Sequence, residues 1–282
     1  MRKGGSVKDY YKTIVLSDIH LGRRGSRHKD VISFLKQSIC ENLILNGDIV
    51  DRFSYNKPEL WKKRHWRFIK ALSQKVAEHN TTIAFIKGNS DELPNDLLPL
   101  EIGALKLVDR VEYESNGKKF LVVHGDIFDT YKGQFRWLAS LGKKTHGLLF
   151  WFHHQVHKLR AAVGVRNMPF SEKVNSRLPI ASRFIEIYEQ SLCQFAKNGG
   201  YDGIICGHLH IPAIKTINGM VYMNSGDWLS SGSALVEYPN GEWKHVFYTE
   251  SQRALYEELE NEEKGLNYLN IYPSLRGGFL NL

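Results

Sequence analysis

Three cysteines in 282 residues, Cys40, Cys193 and Cys206, are an odd number without the spacing of a metal site, so neither a disulfide framework nor a thiolate centre is expected. Two of them lie in apolar surroundings, where free cysteine commonly packs. No run approaches the roughly 18 apolar residues that a membrane-spanning helix needs. The most apolar piece, Leu148 to Phe152, is flanked by histidines. No apolar stretch of secretory length precedes the first strand-like run, and there is no internal repeat or low-complexity tract. These absences lead to the expectation of a reduced, cytoplasmic protein, soluble or peripheral on the inner face of the membrane.

What is present is enough apolar residue, 42%, for one large α/β domain or two small ones. The net charge of +8 is concentrated in one place. Residues 131 to 180 hold nine Lys and Arg against one acid, Glu172, so this segment alone carries +8 and the remainder is formally neutral.

Five short β-type runs end in polar residues able to bind metal. Thr13 to Leu16 leads into Asp18-Ile19-His20, and Asn42 to Leu45 into Asn46-Gly47-Asp48. Thr82 to Ile86 leads into Gly88-Asn89, Phe120 to Val123 into His124-Gly125-Asp126, and Gly203 to Cys206 into Gly207-His208-Leu209-His210. Side chains delivered at the carboxyl ends of strands are the arrangement expected of an open α/β sheet, where loops converge beside helix N-termini. Residues 60 to 79 show helical spacing of Trp61, Phe68, Leu72 and Val76. Met220 to Met223 and Ala234 to Tyr238 read as later strands, making a second sheet plausible.

Aspartate, histidine and an asparagine carbonyl suit borderline divalent metals such as Mn²⁺, Fe²⁺ or Zn²⁺ better than an all-oxygen Mg²⁺ site. Two such ions about 3.5 to 4 Å apart can bind an oxyanion, generate hydroxide near neutral pH and stabilise an in-line displacement at phosphorus. Each piece alone is ordinary loop chemistry, since Asp and Gly are frequent turn formers. The specificity lies in all five pieces, in this order, each after a strand-like run.

The ordered set Asp18-X-His20, Gly47-Asp48-X-X-Asp51-Arg52, Gly88-Asn89, His124-Gly-Asp and Gly207-His208-X-His210 resembles the calcineurin-like metallophosphoesterase superfamily. The resemblance implies an α/β fold, a two-sheet αββα sandwich. It also implies that Asp18, His20, Asp48 and His210 hold one metal and that Asp48, Asn89, His124 and His208 hold the other, with Asp48 bridging. The catalytic residues so implied are Asp48, Asn89, His208 and His210. One departure is clear: the superfamily's usual Gly-Asn-His-Asp/Glu is here Gly88-Asn89-Ser90-Asp91, so the histidine that helps the leaving group is absent.

The stretch HGDIFDTYKGQFRWLASLG, the insertion after it, and NSGDWLSSGSALVEY are similar to the UDP-2,3-diacylglucosamine diphosphatase group of lipid A synthesis. That similarity implies a nucleotide-linked lipid substrate, cleaved to UMP and 2,3-diacylglucosamine 1-phosphate by a metal-bridging hydroxide attacking the phosphorus nearer the uridine. The domain is expected over 10–250, with 131–195 an inserted basic and aromatic helical cap and 251–282 a C-terminal helix and tail. In the cap, Trp151 and Phe152 are candidates for an acyl pocket, and the basic residues would suit a diphosphate or an anionic membrane surface. The opposing view makes the aromatics the internal core of the cap helices and the charges their solvated face. Asp51, Arg52, Ser90, Asp91 and Asp126 are candidates for contacting substrate or supporting ligands, although loop-stabilising hydrogen bonds account equally well for Asp51 and Asp126. Rival readings are a phosphodiesterase or phosphatase on another metabolite, a nuclease, which ranks lower without a recognisable nucleic-acid module, and a non-catalytic scaffold of the same fold.

Overall fold

Alternation of side chains along the strands sorts the interior into three layers. On β1 (Asp9–Leu16), Ile14 and Leu16 face one side and Val15 the other; on β2 (Ser38–Asn46), Leu43 and Leu45 oppose Ile44. On β8 (Gly203–Cys206), Ile204 and Cys206 oppose Ile205. Val15, Ile44 and Ile205 meet in a middle core between two sheets, while the opposite faces are covered by helices. The result is an αββα sandwich, seen in a computed structural model that describes residues 8–23, 25–51, 63–91, 98–126 and 179–249.

The larger sheet has the order β12-β11-β1-β2-β3-β5-β4 and the smaller β6-β7-β8-β10-β9. The strands not yet introduced are β3 (Thr82–Ile86), β4 (Leu100–Ile102), β5 (Leu105–Val108), β6 (Val111–Ser115), β7 (Lys118–Val122), β9 (Ala213–Ile217), β10 (Met220–Asn224), β11 (Ser233–Glu237) and β12 (Trp243–Phe247). β1, β2, β3 and β5 pair in parallel, as do β7, β8 and β10. Their carboxyl ends therefore lie on one edge of each sheet. Helices α1 (His28–Gln37) and α2 (Lys63–His79) cover the larger sheet with Val31, Phe34, Phe68 and Ala71. Helix α3 (Pro179–Asn198) covers the smaller one with Tyr188, Leu192, Cys193 and Ala196.

Within the expected insertion 131–195, the buried face of helix α3 makes it the fourth layer of the sandwich. The rest of the expected cap, with Trp151 and Phe152, lies outside the described residues, as do Arg52, Trp61 and the tail 251–282. All three cysteines are free and buried. Among the described residues, no helix is long and apolar enough to cross a membrane.

One buried cation sits under α2. Lys75 is 3% exposed, and its Nζ donates to the carbonyl of Ser38 and, at 3.2 Å, to Ser38 Oγ. Burial pushes its pKa down from 10.5 to about 8. The folded state thus disfavours the charged form that the unfolded chain carries. Between about pH 8 and 10.5 the unfolded chain binds more protons, so this residue's contribution to stability rises with pH there, by at most about 3 kcal/mol. Below pH 8 the penalty is present in full. Ionising tyrosines and thiols act in the same range, so the informative quantity is the difference between the wild type and Lys75→Met. Denaturant titrations should show the stability advantage of Lys75→Met shrinking as pH rises from 8 to 10; a pH-independent difference would contradict the assignment.

Candidate metal centre

Beyond the ends of β1 and β2 the chain keeps pairing. Asp18 N donates to Gly47 O at 3.0 Å, His20 N to Asp48 O at 2.9 Å and Leu21 N to Ile49 O at 2.9 Å. This continued ladder locks two ligand-bearing loops side by side. The loop after β8 joins them, because Gly207 N donates to His124 O at 3.0 Å and His208 N to the Asp18 carboxylate at 3.1 Å.

Such close approach dictates glycine. A Cβ at Gly88 would lie 2.4 Å from Asp48 N, and one at Gly207 would lie 2.6 Å from Ser17 Oγ and 2.7 Å from Asp18 Oδ2. The candidate ligand residues themselves are strained. Asp18, His20, Asp48, His208 and His210 all have positive φ, between 47° and 64°. A left-handed backbone costs a non-glycine residue about 1 kcal/mol or more, so five such residues in one place mark a site whose geometry the surrounding fold enforces.

The side chains converge. Single ligand atoms of Asp18, His20 and His210 lie within 4.8 Å of one another, and so do those of Asp18, Asp48 and His124, every one of these residues buried. Asp48 turns one oxygen to each side, Oδ2 3.5 Å from His20 Nε2 and Oδ1 3.5 Å from His124 Nε2. Asp18 thus falls in both trios, and Asp48 spans them. His208 falls in neither; its ring stands edge-on to His124 at 5.2 Å and stacks on Tyr188 at 6.2 Å. Asn89 follows β3 at the rim with an exposed side chain.

Several ligand-type atoms converge here without a full set of hydrogen-bond partners. Asp18 Oδ1 makes no hydrogen bond although His210 Nε2 is 2.9 Å away, and His20 Nδ1 and Nε2 and His124 Nε2 are buried without hydrogen-bond partners. Buried polar atoms are almost always satisfied, and leaving one bare costs about 1–3 kcal/mol. A divalent cation would satisfy this oxygen and nitrogen set, so the residues fit the metal that the sequence implied.

Charge supports the same view. Burial opposes ionisation of the carboxylates, but His210 outweighs it for Asp18 and His124 for Asp48, holding both below the usual carboxylate range. In return, against the effect of burial, Asp18 and Asp227 push His210 up to about 10, and Asp48 raises His124 well above the usual imidazole value. His20 moves down, because burial there prevails over Asp48. Near neutral pH a cation must therefore displace protons from His124 and His210, which couples metal affinity to pH.

The other sequence candidates divide. Ser90 caps Asp48 twice, its backbone N donating to Oδ1 at 2.7 Å and its hydroxyl to Oδ2 at 2.9 Å. Asp91 is buried, and its carboxylate accepts from the amides of Ile49 at 3.1 Å, Val50 at 3.0 Å and Gly88 at 3.1 Å, which pins the β2 and β3 loops together. Burial and then Asp48 push it up to about 7. Asp51 and Asp126 are half-buried at the ends of their loops, and Asp51 N donates to Leu21 O at 2.9 Å.

Sequence reasoning missed Asp227, Asn46 and Tyr188. Asp227 Oδ2 lies 3.0 Å from His210 Nδ1, while its carboxylate also accepts from the amides and hydroxyls of Ser230 and Ser231. This fixes the His210 ring with Nε2 toward the centre. The backbone carbonyl of Asn46 does the same for His124, through Nδ1 at 2.9 Å, and the Asn46 side-chain amide is buried with neither its nitrogen nor its oxygen bonded. Tyr188 donates to Gly125 O at 2.7 Å. The one available signal was the run Asp227-Trp228-Leu229-Ser230-Ser231, an acid followed by hydroxyls in a turn.

A profile of the calcineurin-like phosphoesterase family matches residues 11–212, which include all seven expected ligands. The chain belongs to that family. It is a metal-dependent phosphoesterase, and its donor set is where divalent ions of that family would be held. The UDP-2,3-diacylglucosamine hydrolase of Vibrio cholerae serotype O1 is 25% identical over 245 residues, 79% of this chain and 93% of the relative. The protein of the same name from Edwardsiella ictaluri is 25% identical over 209 residues, 72% and 77% of the two chains. A solved archaeal phosphodiesterase covers 83% of this chain and 98% of its own at 15% identity, with a TM-score of 0.42, too low to argue from.

Within this phosphoesterase, Asp227→Asn is nearly isosteric but sets an amide donor against His210 Nδ1. Calorimetric titration with Mn²⁺ should show affinity falling about 10- to 100-fold, with stability in chelator close to wild type. Unchanged affinity would remove Asp227 from the metal centre.

Proposed function

We propose that the chain hydrolyses UDP-2,3-diacylglucosamine to UMP and 2,3-diacylglucosamine 1-phosphate, using two divalent ions, Mn²⁺ foremost and Fe²⁺ or Zn²⁺ as alternatives. The observation that carries the hydrolytic half is the pair of overlapping buried trios, Asp18 with His20 and His210, and Asp18 with Asp48 and His124. The substrate half is supported by relatives of that name that align over most of the chain.

In this reading Asp18, His20, Asp48 and His210 hold one ion, and Asp48, Asn89, His124 and His208 the other. When bound, such ions activate water and neutralise charge on the phosphates. The chain's own part is positional. Asp227 and the Asn46 carbonyl aim His210 and His124, Ser90 anchors both oxygens of Asp48, and Asp91 keeps the loops in register. With its hydroxyl committed to Asp48, and no cationic form available, Ser90 does not replace the family's leaving-group histidine. A phosphoanhydride tolerates this, because 2,3-diacylglucosamine 1-phosphate departs as a stabilised phosphate anion that needs no proton. Asp51, Arg52 and Asp126 are assigned to the rim that receives substrate, and Trp151 and Phe152 to its acyl chains. The reading places the protein in the cytoplasm, at the inner face of the membrane.

The test is hydrolysis of UDP-2,3-diacylglucosamine in detergent with Mn²⁺, measuring UMP and lipid monophosphate separately, beside bis-p-nitrophenyl phosphate. Equal release of both products, reduced about 100-fold or more in Asp48→Ala, is expected. Hydrolysis of the chromogenic diester alone would keep the metal chemistry and discard this substrate.

A further inference from the structure

The histidines that follow β7 and β8 are held in different ways. His210 Nδ1 faces the Asp227 carboxylate at 3.0 Å, and His124 Nδ1 faces the carbonyl of Asn46 at 2.9 Å. The His208 ring lies between two other rings: it stacks on Tyr188, with 26° between the planes and 6.2 Å between centroids, and stands edge-on to His124 at 5.2 Å. Both separations fall in the range where paired rings favour a defined mutual orientation. Tyr188 thus forms one wall of the slot that the His208 ring occupies.

Tyr188 also reaches the loop that carries His124. Its hydroxyl donates to Gly125 O at 2.7 Å, and a Cβ at Gly125 would lie 2.6 Å from that hydroxyl and 3.3 Å from His208 Cβ. The bare glycine therefore lets the hydroxyl enter between the loop of His124 and the loop of His208. Tyr188 itself is buried, and its helix is seated on the smaller sheet by Leu192, Cys193 and Ala196. The side chain is a strut from α3 to the centre.

The two sides of the centre are braced from different elements. Asp227, after β10, serves His210 on the side of Asp18 and His20. Tyr188, from α3, serves His208 beside His124. Asp48 lies between them, Oδ2 toward His20 and Oδ1 toward His124. A brace that touches the ligands of one side must act on one metal position more than on the other.

We infer that Tyr188 is a positioning residue for the metal position shared by His124 and His208, orienting the His208 ring with its own ring and the His124 loop with its hydroxyl. The inference rests on the two-ion reading above, in which those histidines hold one ion. A purely structural role, with Tyr188 filling the layer between α3 and the smaller sheet, predicts lost stability but no preference between the two positions.

Calorimetric titration of the full chain with Mn²⁺, combined with electron paramagnetic resonance, tests this. The wild type should take two ions with a spin-coupled signal. Y188L, which lacks both ring and hydroxyl, should weaken one ion about 10- to 100-fold and leave the other within about twofold, so that Mn²⁺ sufficient to saturate the wild type gives the signal of an isolated ion. Y188F keeps the ring and should lose about three- to tenfold at the same position. In H208A, which gives up that position by itself, Y188L should have no further effect on the remaining ion, whereas in D227N its effect should persist. Should Y188L fail to fold, Y188F decides by the same criterion. Equal weakening of both ions, or unchanged affinity for both, would overturn the inference and leave the two-ion reading standing. A wild type that binds a single ion would remove the reading and the inference together.

Discussion

Two ionised carboxylates, Asp18 and Asp48, must be kept out of water beside each other at the carboxyl edge of two sheets. Isolated burial of either would be prohibitive, so the local structure is organised to compensate the pair. His124 and His210 supply the opposite charge, and Ser90 N and Oγ and His208 N supply hydrogen bonds. The glycines at 88 and 207 exist because backbone or side-chain atoms of these loops occupy the space a Cβ would need. The left-handed turns at the five candidate ligand residues have the same origin: an extended backbone would carry the chain past the point where the side chains meet. Divalent cations held there would offset what remains of the carboxylate charge, which links the family's chemistry to this local strain.

A second tier of residues makes the first effective. Asp91 holds three backbone amides from two loops and so couples the ends of β2 and β3. Asp227 couples the end of β10 to the histidine after β8, and Tyr188 couples α3 to the loop after β7. Each contact crosses from one element to another. The centre is thus a property of both sheets and of the helix on the smaller one, and not of any single loop.

Much of this was legible in the sequence, because period-two apolar runs ending in Asp, His and Gly carry both the strand and its chemistry. The runs at 82–86 and 203–206 coincide with β3 and β8, and the helical spacing of Phe68, Leu72 and Val76 matches the buried side of α2. Edge elements such as β4, β9 and β12 escaped notice, since exposed strands lack the continuous apolar signature of central ones. Helix α3 was absorbed into the basic insertion because its apolar face, including Leu192 and Ala196, follows directly on cationic sequence. Asp227 and Asn46 were missed for a different reason: their roles come from a partner 17 residues away for one and 78 for the other, which no local pattern reports.

The central claim is that Asp48, by turning one oxygen to each side, joins two metal positions into one centre. Electron paramagnetic resonance of the Mn²⁺-loaded protein tests it directly. The account predicts two ions per chain with a spin-coupled signal, and loss of the coupling in Asp48→Asn. A single ion per chain, or two ions with independent signals in the wild type, would contradict it.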